Sequence, residues 1–442
     1  MSSDSPSFRL ERNFESAYDS FLSFQSRADI PFGIAITRES GLCYPFSFRV
    51  SEDFEESYFM AKKILLSLLW MIGGERILLG PVSPFAQKFL KESSRDEEIQ
   101  SSLEAASKIM AFDISMSLCP VLPERKDIPI PFGNSFSGHR IGLDLGGSDR
   151  KVTACVDGKV VYSEEVLWDP KSQEDWRYQE EGIRASLLSA SSHLERVDAV
   201  GVSTAGVVLD NELTFPALFR SVPEDDLKAH VRPIFKQLIP SLFGNVPFQV
   251  ENDGDVSAIG AQILFRQENV LGLALGTSFA AGYAENGHLL SWINELSKCP
   301  VNFSKNARKH YLFSVQGAAS EYLSQKGIIL LLENNGMELH GSLAEKLLQI
   351  QAKMKENDPL VRDAYCDMGL YLGTALAYLS LFYPVKSALL LGRVMTGEGG
   401  DLLLEKAKEY LDSRGIAMDL LSGDENFKRL GQSYIAACLP KL

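Results

Sequence analysis

The stretch Arg140-Ile141-Gly142-Leu143-Asp144-Leu145-Gly146-Gly147-Ser148-Asp149-Arg150-Lys151 decides the fold. It reads as a buried strand over 140–149 that breaks on two glycines, a short polar run ending in Lys151, and a second strand over 152–156. Adjacent glycines let the chain turn tightly and bring bare N–H groups against an anion. Asp144, near the strand end, is placed to hold a metal ion or its water shell. A plain hairpin would carry the same glycines, so the weight falls on the rest of the chain.

Downstream, strands and helices alternate. A helix is predicted over 174–194, then an apolar strand over 199–202 ending in Ser203-Thr204-Ala205-Gly206. A second helix, 224–242, leads to a strand at 248–250 and to Glu251-Asn252-Asp253-Gly254-Asp255, which opens a helix reaching 261. A strand at 270–275 ends in Gly276-Thr277-Ser278 and pairs through a hairpin at Asn286-Gly287. Residues 315–383 read as mostly helical, and a strand at 388–391 stops at Gly392. Such alternation indicates an α/β protein.

A chain of 442 residues is too long for one core, so two or three domains are expected. Hydrophobic content of 45% with 23% charged residues is that of a soluble globular protein. The net charge of −14 disfavours nucleic acid or an anionic membrane as partner, since both would be repelled. Residues 1–8 lack the cationic start and apolar core of a signal peptide. The most apolar run, 64–72, is too short to span a bilayer. Six scattered cysteines without a CxxC pair suggest reduced thiols in a cytoplasmic protein. The six histidines show no ligand spacing and read as surface or core residues.

Each strand-end loop presents small residues or carboxylates where an apolar strand stops, which is where α/β proteins bind ligands. Gly276-Thr277-Ser278 offers N–H groups and two hydroxyls to phosphate oxygens, or is a plain β-turn. Asp253 lies between a strand and a helix start. It is either an N-cap or, beside phosphate loops, a carboxylate that takes the proton of an attacking hydroxyl; Asp255 is the more natural cap. Gly392, followed by Gly397, Gly399 and Gly400, makes a turn on which a nucleotide base can lie flat.

In this order and spacing the segments resemble the ROK sugar kinases, from about residue 140 to the C-terminus. Asp144 to Lys151, with Gly146, Gly147 and Ser148, looks like the family's first phosphate loop. Gly201 to Gly206 is similar to its sugar-side loop, and Glu251 to Asp255 resembles its catalytic stretch, which implies Asp253 as general base. Gly276-Thr277-Ser278 up to Gly282 resembles the second phosphate loop, and Leu389 to Gly392 with Arg393 the adenosine motif. The resemblance implies a two-lobed actin/hexokinase-like ATPase fold with an additional N-terminal α/β domain, and an ATP-dependent kinase of a sugar or sugar-like substrate. It further implies Mg²⁺ held through water by Asp144, and acceptor contacts from Ser203, Thr204, Asn252, Glu295 and Lys298. The lobes would be 138–255 and 256–442, the C-terminal helix being able to return to the first, in a monomer or homodimer.

The departures from that family are equally specific. Asn294-Glu295-Leu296-Ser297-Lys298 stands where the family has Gly-Glu-Ile-Gly-His, so Lys298 replaces a histidine. Gly317-Ala318-Ala319-Ser320 replaces Gly-Cys-Leu-Glu, so no zinc is expected and a sugar-contacting glutamate has become Ser320. Ala217 stands for a sugar-contacting asparagine, Phe279, Ala280 and Ala281 for glycines of the second phosphate loop, and Arg393 for another glycine. These changes keep open a catalytically silent sugar or nucleotide sensor of the same fold.

The first 137 residues do not read as the DNA-binding winged helix of ROK repressors, for they lack a compact run of short helices with a basic recognition helix. They show a strand at 32–37, a hairpin around Gly41, a long helix and a strand at 76–80. Residues 58–82 parallel 371–394, and 32–37 parallels 271–277, which reads as a truncated copy of the nucleotide-side half-domain. Its turn, Thr37-Arg38-Glu39-Ser40, has no glycines and carries an acid that would repel phosphate. Residues 120–138, rich in Pro, Gly and Ser, are the predicted linker.

Overall fold

A computed structural model describes residues 7–110, 112–133, 135–310, 315–423 and 425–442, the side chains of 425–430 excepted. Positions 1–6 of the signal-peptide reading and position 134 of the predicted linker lie outside the described residues. The first lobe is a five-stranded sheet in the order Phe248–Asn252, Ala199–Thr204, His139–Leu145, Asp149–Val156, Lys159–Leu167. His139–Leu145 runs parallel to Ala199–Thr204 and antiparallel to Asp149–Val156. All six residues of Ala199–Thr204 are buried, which explains its unalternating apolar run.

The second lobe is a six-stranded sheet in the order Asp419–Leu421, Ser387–Leu391, Val270–Leu275, Phe279–Glu285, His288–Leu290, Pro129–Pro131. Its edge strand comes from the predicted linker: Pro129–Pro131 pairs antiparallel with His288–Leu290. Prolines are tolerated there because an edge strand needs no second ladder.

Helix Asp253–Leu264 starts directly after strand Phe248–Asn252 of the first sheet and packs on the second, where Gly272 and Gly282 let it sit against the sheet backbone. The boundary expected between 255 and 256 falls within the first turn of this helix. Helix Glu425–Ala436 lies against the first sheet, with Ser433 Oγ 2.8 Å from Thr153 Oγ1. The buried guanidinium of Arg140 donates to the carbonyls of Ala437 (3.2 Å) and Pro440 (2.9 Å). Gly142 and Gly201 are register partners on neighbouring strands and form a trench for this helix. A Cβ at Gly142 would lie 1.9 Å from Ser433 O, and one at Gly201 1.7 Å from Ala436 O.

The helix expected over 224–242 is broken into Glu224–Asp226, a π-turn at Leu227–Val231, and Ile234–Phe243. Pro233 accounts for the break before Ile234, because it lacks the N–H that would continue the helical ladder.

The N-terminal region forms a four-stranded sheet, Cys43–Val50, Ile30–Thr37, Arg76–Gly80, Ser115–Leu118, packed with helix Phe54–Met71. Strand direction differs between this region and the half-domain it was expected to copy. Ile30–Thr37 is antiparallel to Arg76–Gly80, whereas Val270–Leu275 is parallel to Ser387–Leu391. Similar composition yields similar local helix and strand, but direction is set by packing. The region shares one apolar core with the second lobe, which joins Phe32, Ile64 and Trp70 to Tyr283, Trp292 and Tyr383. Tyr44 meets Trp292 edge to face at 5.2 Å and donates its hydroxyl to Phe382 O at 2.6 Å. Arg38, in the glycine-free turn, donates to the carbonyls of Ile72, Gly73 and Ser291 and so stitches the region to the lobe. Among the described residues, no helix is long and apolar enough to cross a membrane.

Candidate active site

A cavity of about 750 Å³ opens between the lobes, lined by Asn252 and Asp253 on one side and by Thr277, Ser278, Glu295 and Lys298 on the other. Neither Asp253 nor Asp255 caps the inter-lobe helix. Asn252 does: its side-chain oxygen accepts the Gly254 N–H at 2.8 Å, while its amide donates to Gly206 O at 2.6 Å. Asp255 instead accepts Asn294 Nδ2 at 3.1 Å. Asp253 Oδ1 shares the Gly254 N–H at 3.1 Å, and Asp253 lines the cavity. Burial, helped by the nearby charges of Asp144 and Glu295, pushes its pKa up to about 7. A carboxylate so tuned is suited to general-base work near neutral pH. Burial also pushes Glu251 up to about 7 and Asp255 well above the ordinary carboxylate range.

The first glycine turn is tighter than expected. The strand ends at Leu145, and its partner already begins at Asp149, so Lys151 lies within a strand opposite Asp144 and not in the turn. The Lys151 ammonium pairs with Asp149 and stands 3.8 Å from Asp144 Oδ2. Asp149, nearly buried, also accepts Ser148 Oγ at 2.9 Å and Arg393 at 2.8 Å. Its backbone carbonyl takes the Gly146 N–H at 2.9 Å. Arg393 reaches Glu165 at 3.4 Å as well, so a chain of charges ties the second lobe to the first. Burial opposes ionisation of Asp149, yet Lys151 and Arg393 hold its pKa below the usual value.

Ser203 donates to Asp144 Oδ1 at 3.0 Å, and burial raises the Asp144 pKa despite Lys151. With a hydroxyl on one oxygen and an ammonium facing the other, Asp144 suits a water-mediated contact to a magnesium ion better than direct ligation. Among the described residues no group of three His, Cys, Asp or Glu is arranged to hold a metal ion.

Ser203 and Thr204, expected to contact the acceptor, are not among the residues that line the cavity. Both stay in the strand, pairing with Asp144, Leu145, Glu251 and Asn252, and are 0% and 1% exposed; Ala205 and Gly206 line the cavity in their place. Gly392 has φ +103° and packs against the Leu275 carbonyl, where a Cβ would lie 2.4 Å from the oxygen. It does not line the cavity.

In the second turn the Gly276 N–H donates to Ser278 O at 3.0 Å, leaving Thr277 and Ser278 at the cavity wall. Glu295 and Lys298 form a nearly buried ion pair, so they act as one unit and not as two independent contacts. Ala217 and Ser320 line the same wall.

Among the titratable lining residues Lys171, Arg220, His310, Glu321 and Lys326 were not anticipated. Lys326 pairs with Glu321 at 2.8 Å. Burial, with Lys298 and Lys326 nearby, pushes His310 down to about 4, so it is neutral. Lys171 follows a strand end, and the rule that singled out the other loops applies to it. Glu321 adjoins the anticipated Ser320. His310 and Lys326 carry no local signal and reach the cavity only through folding.

No family model and no curated protein sequence matches the chain. Solved structures do. A ROK family glucokinase from Streptomyces griseus in complex with glucose and AMPPNP is similar over 68% of this chain and 98% of its own, at 19% identity and a TM-score of 0.54. The ROK hexokinase from Thermus thermophilus matches over the same shares at 19% identity, with a TM-score of 0.52. A ROK family transcriptional regulator, a homologue of the E. coli MLC protein, covers 80% of this chain and 87% of its own at 15% identity and a TM-score of 0.53. At these identities the likeness is one of fold, the two-lobed hexokinase-like fold of ROK proteins.

Proposed function

We propose that the protein is an ATP-dependent phosphotransferase acting on a hydroxyl of a sugar or sugar-like acceptor, with Asp253 as general base. The observation that carries this reading is Asp253 itself: an uncapping carboxylate, tuned to about 7, in an inter-lobe cavity shared with the hydroxyls of Thr277 and Ser278. The acceptor oxygen attacks the terminal phosphorus of ATP. An O–P bond forms, the bond to the β-phosphate breaks, ADP leaves with the electron pair, and the proton passes to Asp253.

Gly276, Thr277, Ser278, Ser148 and the Gly146-Gly147 backbone hold the donor phosphates, with Gly392 and Arg393 on the adenosine side. Asn252 and the Glu295–Lys298 pair face the acceptor. Asp144 would hold Mg²⁺ through water, and the bound ion would neutralise phosphate charge. Transfers of this kind depend chiefly on positioning and electrostatic stabilisation, and the likeness to a glucokinase and a hexokinase favours a hexose-like acceptor.

The test is ADP release from Mg-ATP across hexoses, amino sugars, acetylated amino sugars and polyols. Acceptor-dependent ADP that disappears in Asp253→Asn supports the reading; ADP release indifferent to that change removes it. With an active acceptor, kcat/KM should rise with pH through an inflection near 7, because the base works ionised. Glu251, tuned to the same value, is separated by Glu251→Gln, which should leave the inflection in place. An inflection near 4 in that variant would refute the base assignment.

A silent sensor is the second reading, favoured by the first glycine turn. There Gly146, Ser148 and Lys151 all bond to Asp149, the protein's own acid, in place of a phosphate. It predicts sugar-dependent thermal stabilisation with no ADP released.

A further inference from the structure

Most cations around the cavity already have a carboxylate. Lys151 is taken by Asp149, Lys298 by Glu295, and Lys326 by Glu321. Lys171 differs. Among the described residues no carboxylate lies within ion-pairing distance of its Nζ, although the side chain is half-buried at the cavity wall. Removing an ammonium from water without a partner is costly, and folds rarely keep such an arrangement without a compensating anion.

The position is built. Lys171 belongs to the loop between strand Lys159–Leu167 and helix Arg177–Ser191. Trp168 Nε1 donates to Gly146 O at 2.9 Å and Trp168 N to Ser148 O at 3.2 Å, which fastens the loop to the first glycine turn. Gln179 Nε2 donates to Pro170 O at 2.7 Å, and Ser221 Oγ to Lys171 O at 2.6 Å. The ammonium is thereby aimed at Gly147, where an added Cβ would lie 2.7 Å from Nζ. Burial and the charge of Arg220 press its pKa down, while Asp253 and Asp169 hold it up. It stands between the glycine turn that would meet donor phosphates and the carboxylate that would take the acceptor's proton.

We propose that Lys171 is a catalytic residue that binds the oxygens of the terminal phosphoryl group as it moves from ADP to the acceptor. This rests on the phosphotransferase reading. Lys171 stays protonated throughout: the attacking oxygen's proton goes to Asp253, the leaving electron pair to ADP, and the ammonium offsets charge on the three oxygens in flight. Gly147 is required small at this point because a side chain would displace Nζ.

The experiment compares Mg-ATP and Mg-ADP binding by calorimetry in the full chain, in Lys171→Met and in Lys171→Arg. Charge-assisted hydrogen bonds of this class are worth about 10- to 100-fold in affinity. Lys171→Met should weaken ATP by that factor and leave ADP unchanged, with Lys171→Arg recovering most of the loss. Equal weakening of both nucleotides would make the residue structural and overturn the proposal. So would an unchanged ATP affinity, the result expected if Lys171 faced an acidic group on the acceptor, or a wild-type chain that binds neither nucleotide. The readout needs no turnover. An ATP–ADP difference that depends on Lys171 in a chain releasing no ADP to any acceptor would therefore refute phosphotransfer while leaving the phosphoryl contact standing.

Discussion

Asp253→Asn should lower acceptor-dependent turnover by about 10²- to 10⁴-fold, the contribution of a positioned general base. Nucleotide affinity should hardly change, since Asn keeps the shape and the Gly254 contact. The same substitution has an opposite effect on stability. A carboxyl whose folded pKa is raised to about 7 contributes stability that is fully present below its unfolded value, near 4. That contribution is lost as pH rises through the folded value. Asn does not titrate, so the variant should melt above wild type at pH 8, with the gap closing toward pH 4. Turnover lost together with a lower melting temperature at pH 8 would point to a damaged fold and against a removed base.

Gly201→Val should be the most damaging substitution in the first lobe. Gly201 faces the backbone of helix Glu425–Ala436, with the Ala436 carbonyl where a Cβ would stand. A clash with backbone cannot be relieved by a rotamer change, so the helix must lift from the sheet. A cost of about 3 kcal/mol or more is expected, lowering Tm by roughly 3 °C or more for a chain of this length that unfolds as one unit. Gly276→Ala, whose new Cβ meets only Ser278 O at 3.7 Å, is the control and should leave Tm in place. Activity should fall in Gly201→Val as well. Gln432, on the displaced helix, donates to Asp253 O and accepts from Ser257 Oγ at 3.2 Å, so the head of the inter-lobe helix loses its support. Near-native melting of Gly201→Val would mean that the helix does not seat in the trench.

What was legible in the chain was local chemistry at strand ends. The Gly146-Gly147 and Gly276-Thr277-Ser278 turns announce themselves because glycine and hydroxyl residues follow apolar runs, and Asp253 because it stands at a strand-to-helix join. The errors share a physical origin. Ser203 and Thr204 look like loop residues, yet pairing on both sides carries the strand through them. Asp255 looks like the cap, but the helix starts earlier, with Asn252, three residues before Asp255, as the cap. Strand direction in the N-terminal sheet has no local signature at all, which is why composition suggested a copy. Lys171 and His310 come from two separate loops and Lys326 from the first turn of helix Gln325–Asn334, and only the closed chain sets them around one cavity.

The single apolar core that the N-terminal region shares with the second lobe bears on how such a chain can evolve. A module attached through a polar seam can be shed, exchanged or moved to another protein without harm. Here Trp292, Tyr283 and Tyr383 are buried partly because Tyr44 and its neighbours cover them. Removing the first 130 or so residues would also strip the second sheet of its edge strand, Pro129–Pro131, and would leave a greasy face on the remaining lobe. The region is therefore not a detachable module: a single deletion that removed it would leave the lobe short of a strand and its aromatic face bare to water.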